Sequence, residues 1–571
     1  MTQRLPAPAA SWLLSPAWKG SRGPLRLPTS YRLLSSQHAP RTVAEFLRAE
    51  PSEKLDDAVV HGYVRSVRKL KSDRFLNIGD GSTVKHLQAI VPKTLASELR
   101  VGTAVRLRGS WTPSTEHEKF QTHELKVNEV EVLGPSDPGN YPLQNKYQTL
   151  EFLRTLPHLR SRLPLNSAII RMRSDAVATL TRFFSARGYT QTHPPLITSS
   201  DCEGAGEVFT LSAGKPKTNE PETSRSSSSS SSSSKKLKEA QQDSFFRSPK
   251  YLTVSTQLHL EALAQSVGDV WTLSPTFRAE KSDTSRHMAE FYMLEAELTF
   301  VEDMETVMSL AEDMIRDLVE NLATNSSAAQ EILSAANRVK GDVESIIGPA
   351  QELQSRWDGL RASAPKWPRI TYTEAIKLLQ AAEEQEPGRF ENKPVWGVSL
   401  QAEHERFLAT AVSELKTPGY RTPVFVTHYP RDIKAFYMLE SHSSSSTTTN
   451  NGDVASSNTN ADAKVTGGPT VDCFDLLVPD VCEIAGGSMR EHRLDYLLEA
   501  MRRNGMETPA STAKPGRSTS NLDWYVDLRR WGSPPHGGFG LGFDRLLVYL
   551  VGAQNVKDMV AFPRWFGRCD C

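Results

Sequence analysis

Four glycines in six residues, Gly537-Gly538-Phe539-Gly540-Leu541-Gly542, run straight into Phe543-Asp544-Arg545-Leu546-Leu547, and no other stretch restricts the fold as much. Glycine inside a strand loosens it and offers no side chain to pack, so such a strand marks a place where a ligand or a neighbouring backbone comes close. The residues after it read as a helix that Arg545 begins. Dinucleotide-binding and P-loop turns are excluded: the glycine spacing is wrong for the first, and no Gly-Lys-Ser/Thr follows for the second. Helical and strand patterns alternate through residues 161–571, which predicts a mixed domain of strands and helices.

The chain has 571 residues, enough for about three domains. With 38% hydrophobic and 23% charged residues it can bury a core, and wholesale disorder is excluded. Five cysteines exclude a disulfide scaffold and fit a reducing compartment. No apolar run approaches the length of a membrane span, so no membrane partner is expected. The 67 basic and 67 acidic residues cancel, but residues 1–44 hold six bases (Arg4, Lys19, Arg22, Arg26, Arg32, Arg41) and no acid. Nucleic acid would therefore meet a local patch and not bulk charge. Segment 1–41 is rich in Arg, Ser, Leu and Pro, the composition of a transit peptide, and predicts a mitochondrial (matrix) destination. Residues 213–244, with serines from Ser226 to Ser234, and residues 441–470, rich in Ser, Thr, Asn and Gly, cannot bury enough apolar surface to fold.

Residues 57–135 read as five short alternating strands, which predicts a small barrel of the OB type, followed by a hinge over 136–160. Its first turn carries Arg65, Arg68, Lys69, Lys71 and Arg74 beside Phe75. Cations that track phosphate and a ring that stacks on bases suit a single strand of nucleic acid. A solvated strand edge with Phe75 in the core is equally compatible with this segment alone.

Two further motifs precede the glycine-rich strand. Arg187-Gly188-Tyr189 and Pro194-Pro195-Leu196-Ile197 follow an amphipathic helix from Ile170 to Phe184. Pro275-Thr276-Phe277-Arg278-Ala279-Glu280 and Arg286-His287-Met288-Ala289-Glu290-Phe291 read as a hairpin with Arg278 and Glu280 on one face of a strand, Arg286 and His287 on the loop, and Phe291 on the return strand. In this order the three motifs resemble motifs 1, 2 and 3 of the class II aminoacyl-tRNA synthetases. The preceding barrel narrows the resemblance to subclass b. The strings SDCEGAGEVF (200–209), LQAEHERFLA (400–409), YPRDIKAFYM (429–438), EIAGGSMREHRLD (483–495) and NVKDMVAFPR (555–564) are similar to asparaginyl-tRNA synthetases. The resemblance spans about residues 57 to 567, weakest over 324–366, and flanks both low-complexity stretches, so these read as insertions in one catalytic domain, 161–571. It implies an α+β fold: an OB barrel, then an antiparallel sheet flanked by helices.

The resemblance implies the chemistry too. ATP and an amino acid give an aminoacyl-adenylate, and the acyl group passes to tRNA, here tRNA(Asn) with asparagine. Arg278 and Arg545 are the catalytic cations. Arg278 clamps the α-phosphate and the substrate carboxylate, Glu280 reads the adenine amino group, Phe291 and Arg545 stack on adenine, and Arg286 and His287 hold the outer phosphates. Asp475 and Glu483 are the carboxylates for Mg²⁺, with Glu483 also at the ATP. Glu203 and Gln257 hold the α-amino group. Phe75 and Gln88 stack on and read an anticodon base, and a homodimer forms through motif 1, including Pro195.

The amino-acid pocket rests on Ser255-Thr256-Gln257-Leu258-His259-Leu260-Glu261, which is similar to the SPQLYKQ type of stretch in aspartyl enzymes. Where those carry a lysine this chain has Leu260, and their partner aspartate becomes Glu295. Asparagine and aspartate have nearly the same shape, so charge must separate them. At about 4 Å and an effective dielectric of about 20, one charge pair is worth about 4 kcal/mol, roughly a thousandfold. Arg490 then donates to the amide oxygen. An aspartyl-tRNA synthetase, discriminating or not, a non-catalytic RNA-binding paralogue and a tRNA-independent asparagine synthetase are the competing readings. Cys202, Cys473 and Cys482 read as buried small hydrophobes, and Cys569 and Cys571 as a terminal pair without a metal cluster.

Overall fold

A computed structural model describes residues 40–49, 51, 54–114, 121–144, 146, 148–199, 207–211, 245–246, 248–336, 346–441, 467–506 and 521–571. The transit segment but for its last two residues, the serine run, most of the second low-complexity stretch, Cys202 and Glu203 lie outside them.

Period-two alternation closes the first unit. Strands β1 (Leu55–Lys69), β2 (Asp73–Gly79), β3 (Leu87–Pro92), β4 (Ala104–Pro113) and β5 (His123–Gly134) form a barrel in the order β1-β2-β3-β5-β4. Leu76 and Ile78, then Leu87, Ala89 and Val91, face inward at every second position, where they meet Val105, Leu107 and Leu125. A short helix, Val43–Arg48, plugs one end with Val43 and Phe46. Its Thr42/Glu45 capping box fixes its start, and Phe46 meets Trp111 edge-on. Trp111 stacks on His123, its ring centroid 5.6 Å away.

The second unit is a sheet whose eight strands are β6 (Thr190–Gln191), β10 (Val270–Phe277), β11 (Glu290–Thr299), β12 (Arg369–Thr371), β13 (Val424–Thr427), β14 (Cys473–Val478), β15 (Cys482–Met489) and β16 (His536–Gly542). Their order is β12-β13-β14-β15-β16-β11-β10-β6, antiparallel except for the outermost pair at each end. Three short strands, β7 (Ile197–Thr198), β8 (Thr210–Leu211) and β9 (Lys250–Leu252), form a separate small sheet. The architecture is thus α+β, as expected.

Helices Pro164–Ala186, Met304–Asn325, Ala350–Leu360 and Phe543–Val551 bury apolar faces against the sheet in one large core. Helices Tyr372–Gln385 and Ala402–Lys416 cover its β12–β14 end. The barrel is tied to this unit through Glu331, whose carboxylate accepts from Thr83 Oγ1, the Val84 amide and Arg171. Among the described residues no helix is long and apolar enough to cross a membrane.

Candidate active site

Strands β11, β15 and β16 form the floor of two adjoining cavities. Arg278, Met293, Glu483 and Gly540 line both. The first also has Glu280, Arg286, His287, Phe291 and Arg545 in its wall. The second has Gln257, Leu260, Glu295, Lys434, Asp475 and Arg490. Residues read from five separate stretches of sequence thus converge, and Arg278 stands at the junction.

The hairpin of the second motif is β10 and β11, with Thr276 opposite Phe291. The expectation that Arg278 and Glu280 share a strand face is corrected. The Arg278 amide still bonds Ala289 O at 3.0 Å, but the Ala279 amide turns to Glu207 O at 2.8 Å. The ladder therefore stops at Phe277, and both side chains project from the loop that follows. The Arg278 guanidinium lies 5.6 Å from the Phe291 ring centroid and 3.8 Å from a Glu280 oxygen. His287 Nε2 approaches the other Glu280 oxygen at 3.3 Å, and its Nδ1 is 2.6 Å from Thr284 Oγ1. Burial, aided by Arg545, Arg286 and Arg278, outweighs Glu280 and lowers the proton affinity of His287.

The glycines of β16 have a local cause. A Cβ on Gly538 would sit 2.1 Å from Glu297 Oε2 and 2.3 Å from Ala296 O, and one on Gly540 would sit 2.7 Å from Met293 Cε. Side chains of β11 cross the strand where its own are missing. Arg545 lies in the first turn of the helix that follows, as expected, and donates to Glu483 O at 3.0 Å. Asp544, which the sequence reading passed over, fixes that turn: it accepts from the Tyr292 amide at 2.8 Å and from Arg173 of the first-motif helix.

Asp475 and Glu483 lie on neighbouring strands, and Asp475 accepts from Lys434 Nζ with both oxygens. Glu405, from the covering helix, joins them. Burial first, then Glu483 and Asp475, push its carboxyl up to about 7 against the pull of Arg286. Asp475 and Glu483, both in the cavity wall, offer hard oxygens of the kind a divalent cation of the Mg²⁺ type takes. Lys434 and Glu405 are further residues the sequence reading did not single out, although both lie inside strings it quoted.

In the second cavity Leu260 is buried and packs on Ala264 and Val270, while Arg278, Lys434 and Arg490 are the cations of that wall. Glu295 lines the same cavity with its carboxylate already engaged. Its oxygens accept from Ser255 Oγ at 2.5 Å, from the Thr256 amide at 3.0 Å and from Thr256 Oγ1 at 2.5 Å. It sits at the start of helix Gln257–Val267, where backbone N–H groups favour an anion. Arg490 is committed too: Nε and Nη2 fork onto Glu297 at 3.1 and 2.9 Å, and Nη1 donates to Ser488 Oγ at 2.7 Å. Three of its five N–H donors are therefore taken.

On the barrel, Phe75 and Gln88 share the outer face of β2 and β3, opposite Ile90 and Asn77 respectively. Phe75 is half-buried and is not part of the barrel core, which removes the alternative that it packs inside. Of the basic edge, Arg65 is withdrawn beside the Tyr63 ring and Arg74 braces its own turn through Leu70 O, which leaves Arg68, Lys69 and Lys71 exposed. Cys473 and Cys482 are buried as read; Cys569 and Cys571 are exposed.

The family model for class II tRNA synthetases (D, K and N) matches residues 150–566. The mitochondrial asparagine–tRNA ligase of Saccharomyces cerevisiae is 39% identical over 522 residues, covering 89% of this chain and 92% of its own. The asparagine–tRNA ligase of Nostoc sp. is 38% identical over 533 residues, 92% of this chain and 98% of its own. The crystal structure of asparaginyl-tRNA synthetase from Pyrococcus horikoshii complexed with asparaginyl-adenylate matches with a TM-score of 0.66 at 26% identity, over 90% of this chain and 96% of that one. The chain therefore belongs to the class II aminoacyl-tRNA synthetases and, within them, to the asparagine–tRNA ligases.

Proposed function

We infer that this chain ligates asparagine to tRNA(Asn) through an asparaginyl-adenylate, using ATP, in the mitochondrial matrix. The observation that carries the chemistry is the place of Arg278 between two cavities, one lined for a nucleotide and the other for a small polar side chain. In this reading Arg278 draws the asparagine carboxylate to the α-phosphate. A carboxylate oxygen bonds to the α-phosphorus, the bond to the bridging oxygen breaks, and pyrophosphate leaves. A ribose hydroxyl of the tRNA end then attacks the acyl carbon, and AMP leaves. The chain supplies alignment and fixed positive charge and no nucleophile.

Phe291 and Arg545 hold adenine between them, Glu280 accepts from its amino group, and Arg286 and His287 take the outer phosphates. Asp475 and Glu483 would hold Mg²⁺, which when bound neutralises phosphate charge. Gln257, with Glu203, takes the α-amino group, while Arg490 and Glu295 face the carboxamide. Phe75 and Gln88 take an anticodon base. Two copies pair through the first motif, a reading supported by the exposure of Pro195, of Ile197 at 44% and of Ile170 at 37%. The acid-free leader and the mitochondrial relative support the destination, and tagging the chain with and without residues 1–41 tests it.

The deciding experiment is ATP–pyrophosphate exchange with asparagine and with aspartate. Faster exchange with asparagine is expected. Faster exchange with aspartate overturns the assignment, and exchange with neither returns the chain to a non-catalytic RNA-binding role. Arg278→Ala should lower exchange by about 10²–10³-fold or more while tRNA binding persists.

A further inference from the structure

Behind the second cavity lies a buried charged cluster whose rear members the reaction does not use directly. Its centre is Glu261, which follows Leu260 on helix Gln257–Val267 and is 0% exposed. Oε2 accepts from Arg529 Nη2 at 2.6 Å, Tyr525 OH at 2.8 Å and His536 Nε2 at 3.1 Å. Oε1 accepts from Gln257 Nε2 at 3.0 Å and lies 4.0 Å from Arg490 Nε. Burial alone would raise the proton affinity of Glu261, but Arg529, His536 and Arg490 outweigh it, so the carboxylate is ionised.

Glu297 holds the far side of Arg490. Burial pushes its carboxyl up, yet the fork from Arg490 onto both of its oxygens is an arrangement only the ionised form accepts. The carboxylates of Glu261 and Glu297 thus face the guanidiniums of Arg490 and Arg529. Glu261, Glu297 and His536 also bring three potential metal ligands within 4.8 Å of one another. The two guanidiniums already occupy those oxygens, so a metal is the poorer occupant.

Three members of the cluster reach the ligand cavity, Gln257, Glu297 and Arg490, and Glu261 contacts the first and the last. It is also the group that offsets Arg529, whose Nε braces the chain next to Arg490 through Glu491 O at 3.0 Å. We propose that Glu261 is a specificity-determining positioning residue: from behind the cavity it orients Gln257 and cancels a guanidinium charge, so that Arg490 can donate to a neutral carboxamide without drawing in a carboxylate. This rests on the reading that the cavity takes the side chain of asparagine. Glu261 touches no substrate. Its effect is electrostatic, through a low-dielectric layer in which an uncancelled charge acts over several ångströms.

The test is Glu261→Gln in the full-length enzyme, by ATP–pyrophosphate exchange with asparagine and aspartate. The ratio of kcat/KM for asparagine to that for aspartate should fall at least tenfold, with KM for asparagine raised and KM for ATP within about twofold of wild type. A purely structural role would lower both amino acids in proportion, and an unchanged ratio overturns the proposal. Arg529→Met, which removes the opposite charge, should move the ratio the other way, and Glu261→Gln/Arg529→Met should return it towards wild type. These two variants decide the question if the first does not fold, and the same ratio in every folded variant again overturns it. Failure of the underlying reading looks different: the wild-type enzyme itself would prefer aspartate or exchange with neither.

Discussion

The Lys434 ammonium donates to both oxygens of Asp475, at 3.0 and 2.8 Å, and lies 4.0 Å from the centroid of the Tyr429 ring. Burial by itself would favour the neutral amine, but Asp475, with help from Cys473 and Glu483, reverses this and raises the lysine above its ordinary range. A pair held this way is costly to split. Lys434→Met leaves Asp475 uncompensated beside Glu483, and the expected loss is about 3–5 kcal/mol. The double variant Lys434→Met/Asp475→Leu should regain most of that stability and none of the exchange activity. Urea unfolding of the three proteins checks this; a single variant as stable as wild type counts against the pairing.

Gly538 is the position in the glycine-rich strand where substitution should be felt most. An added methyl would meet the Glu297 carboxylate at 2.1 Å and the Ala296 carbonyl at 2.3 Å, and a backbone oxygen inside a sheet has little room to give. Gly538→Ala is expected to destabilise by about 1–3 kcal/mol and to displace Glu297 from Arg490. KM for asparagine should then rise more than KM for ATP. Equal changes in the two, or none, would show that Glu297 has another place to go.

The barrel was legible because alternation writes itself into adjacent residues: Leu76 and Ile78 turn inward, and Phe75 and Asn77 outward, on period two alone. The first cavity was legible through resemblance, since Arg278 and Phe291 sit in one motif and Arg545 in another. The end of β10 was not, because the bond that ends the ladder comes from Glu207, in a different segment. The occupied state of Glu295 was hidden for a related reason: its donors, Ser255 and Thr256, lie 40 and 39 residues away. The cluster about Glu261 was out of reach, as its partners Tyr525, Arg529 and His536 follow by 264, 268 and 275 residues. Buried polar networks carry no periodicity; they are fixed by which strands and helices meet.

Glu405 makes stability depend on pH in a defined direction. An unfolded glutamate titrates near 4.5, whereas burial, Glu483 and Asp475 push this one up to about 7. Below pH 4.5 both states hold the proton and the group contributes nothing. Between the two values the unfolded chain loses its proton first, so the folded state is increasingly disfavoured as pH rises, and above 7 the penalty is complete. From the distance between the two values it amounts to about 3 kcal/mol. Glu405→Gln removes it. The stability advantage of the variant over wild type, read from urea midpoints in the presence of a chelator, should therefore widen from pH 5 to pH 8; a constant difference would place Glu405 in a less acidic setting than its neighbours imply.

Replacing Phe75 is expected to separate tRNA recognition from amino-acid activation. Phe75 lies on the outer face of β2, paired across the ladder with Arg68 of β1, while its neighbour Leu76 is fully buried in the barrel core. Loss of one stacking ring costs about 1–3 kcal/mol of single-strand binding. Phe75→Ala should raise KM for tRNA accordingly and leave ATP–pyrophosphate exchange with asparagine unchanged, because the adenylate forms in the other unit. Arg68→Ala should weaken tRNA binding less, and its effect should fade as salt is raised, since it acts on phosphate charge alone. Leu76→Ala is the contrasting control: it should unfold the barrel at lower urea, at a cost of about 2–5 kcal/mol. Should Phe75→Ala instead lower barrel stability as Leu76→Ala does, with tRNA affinity intact, the ring would be a packing residue and the outer face of β2 and β3 would lose its claim to the anticodon.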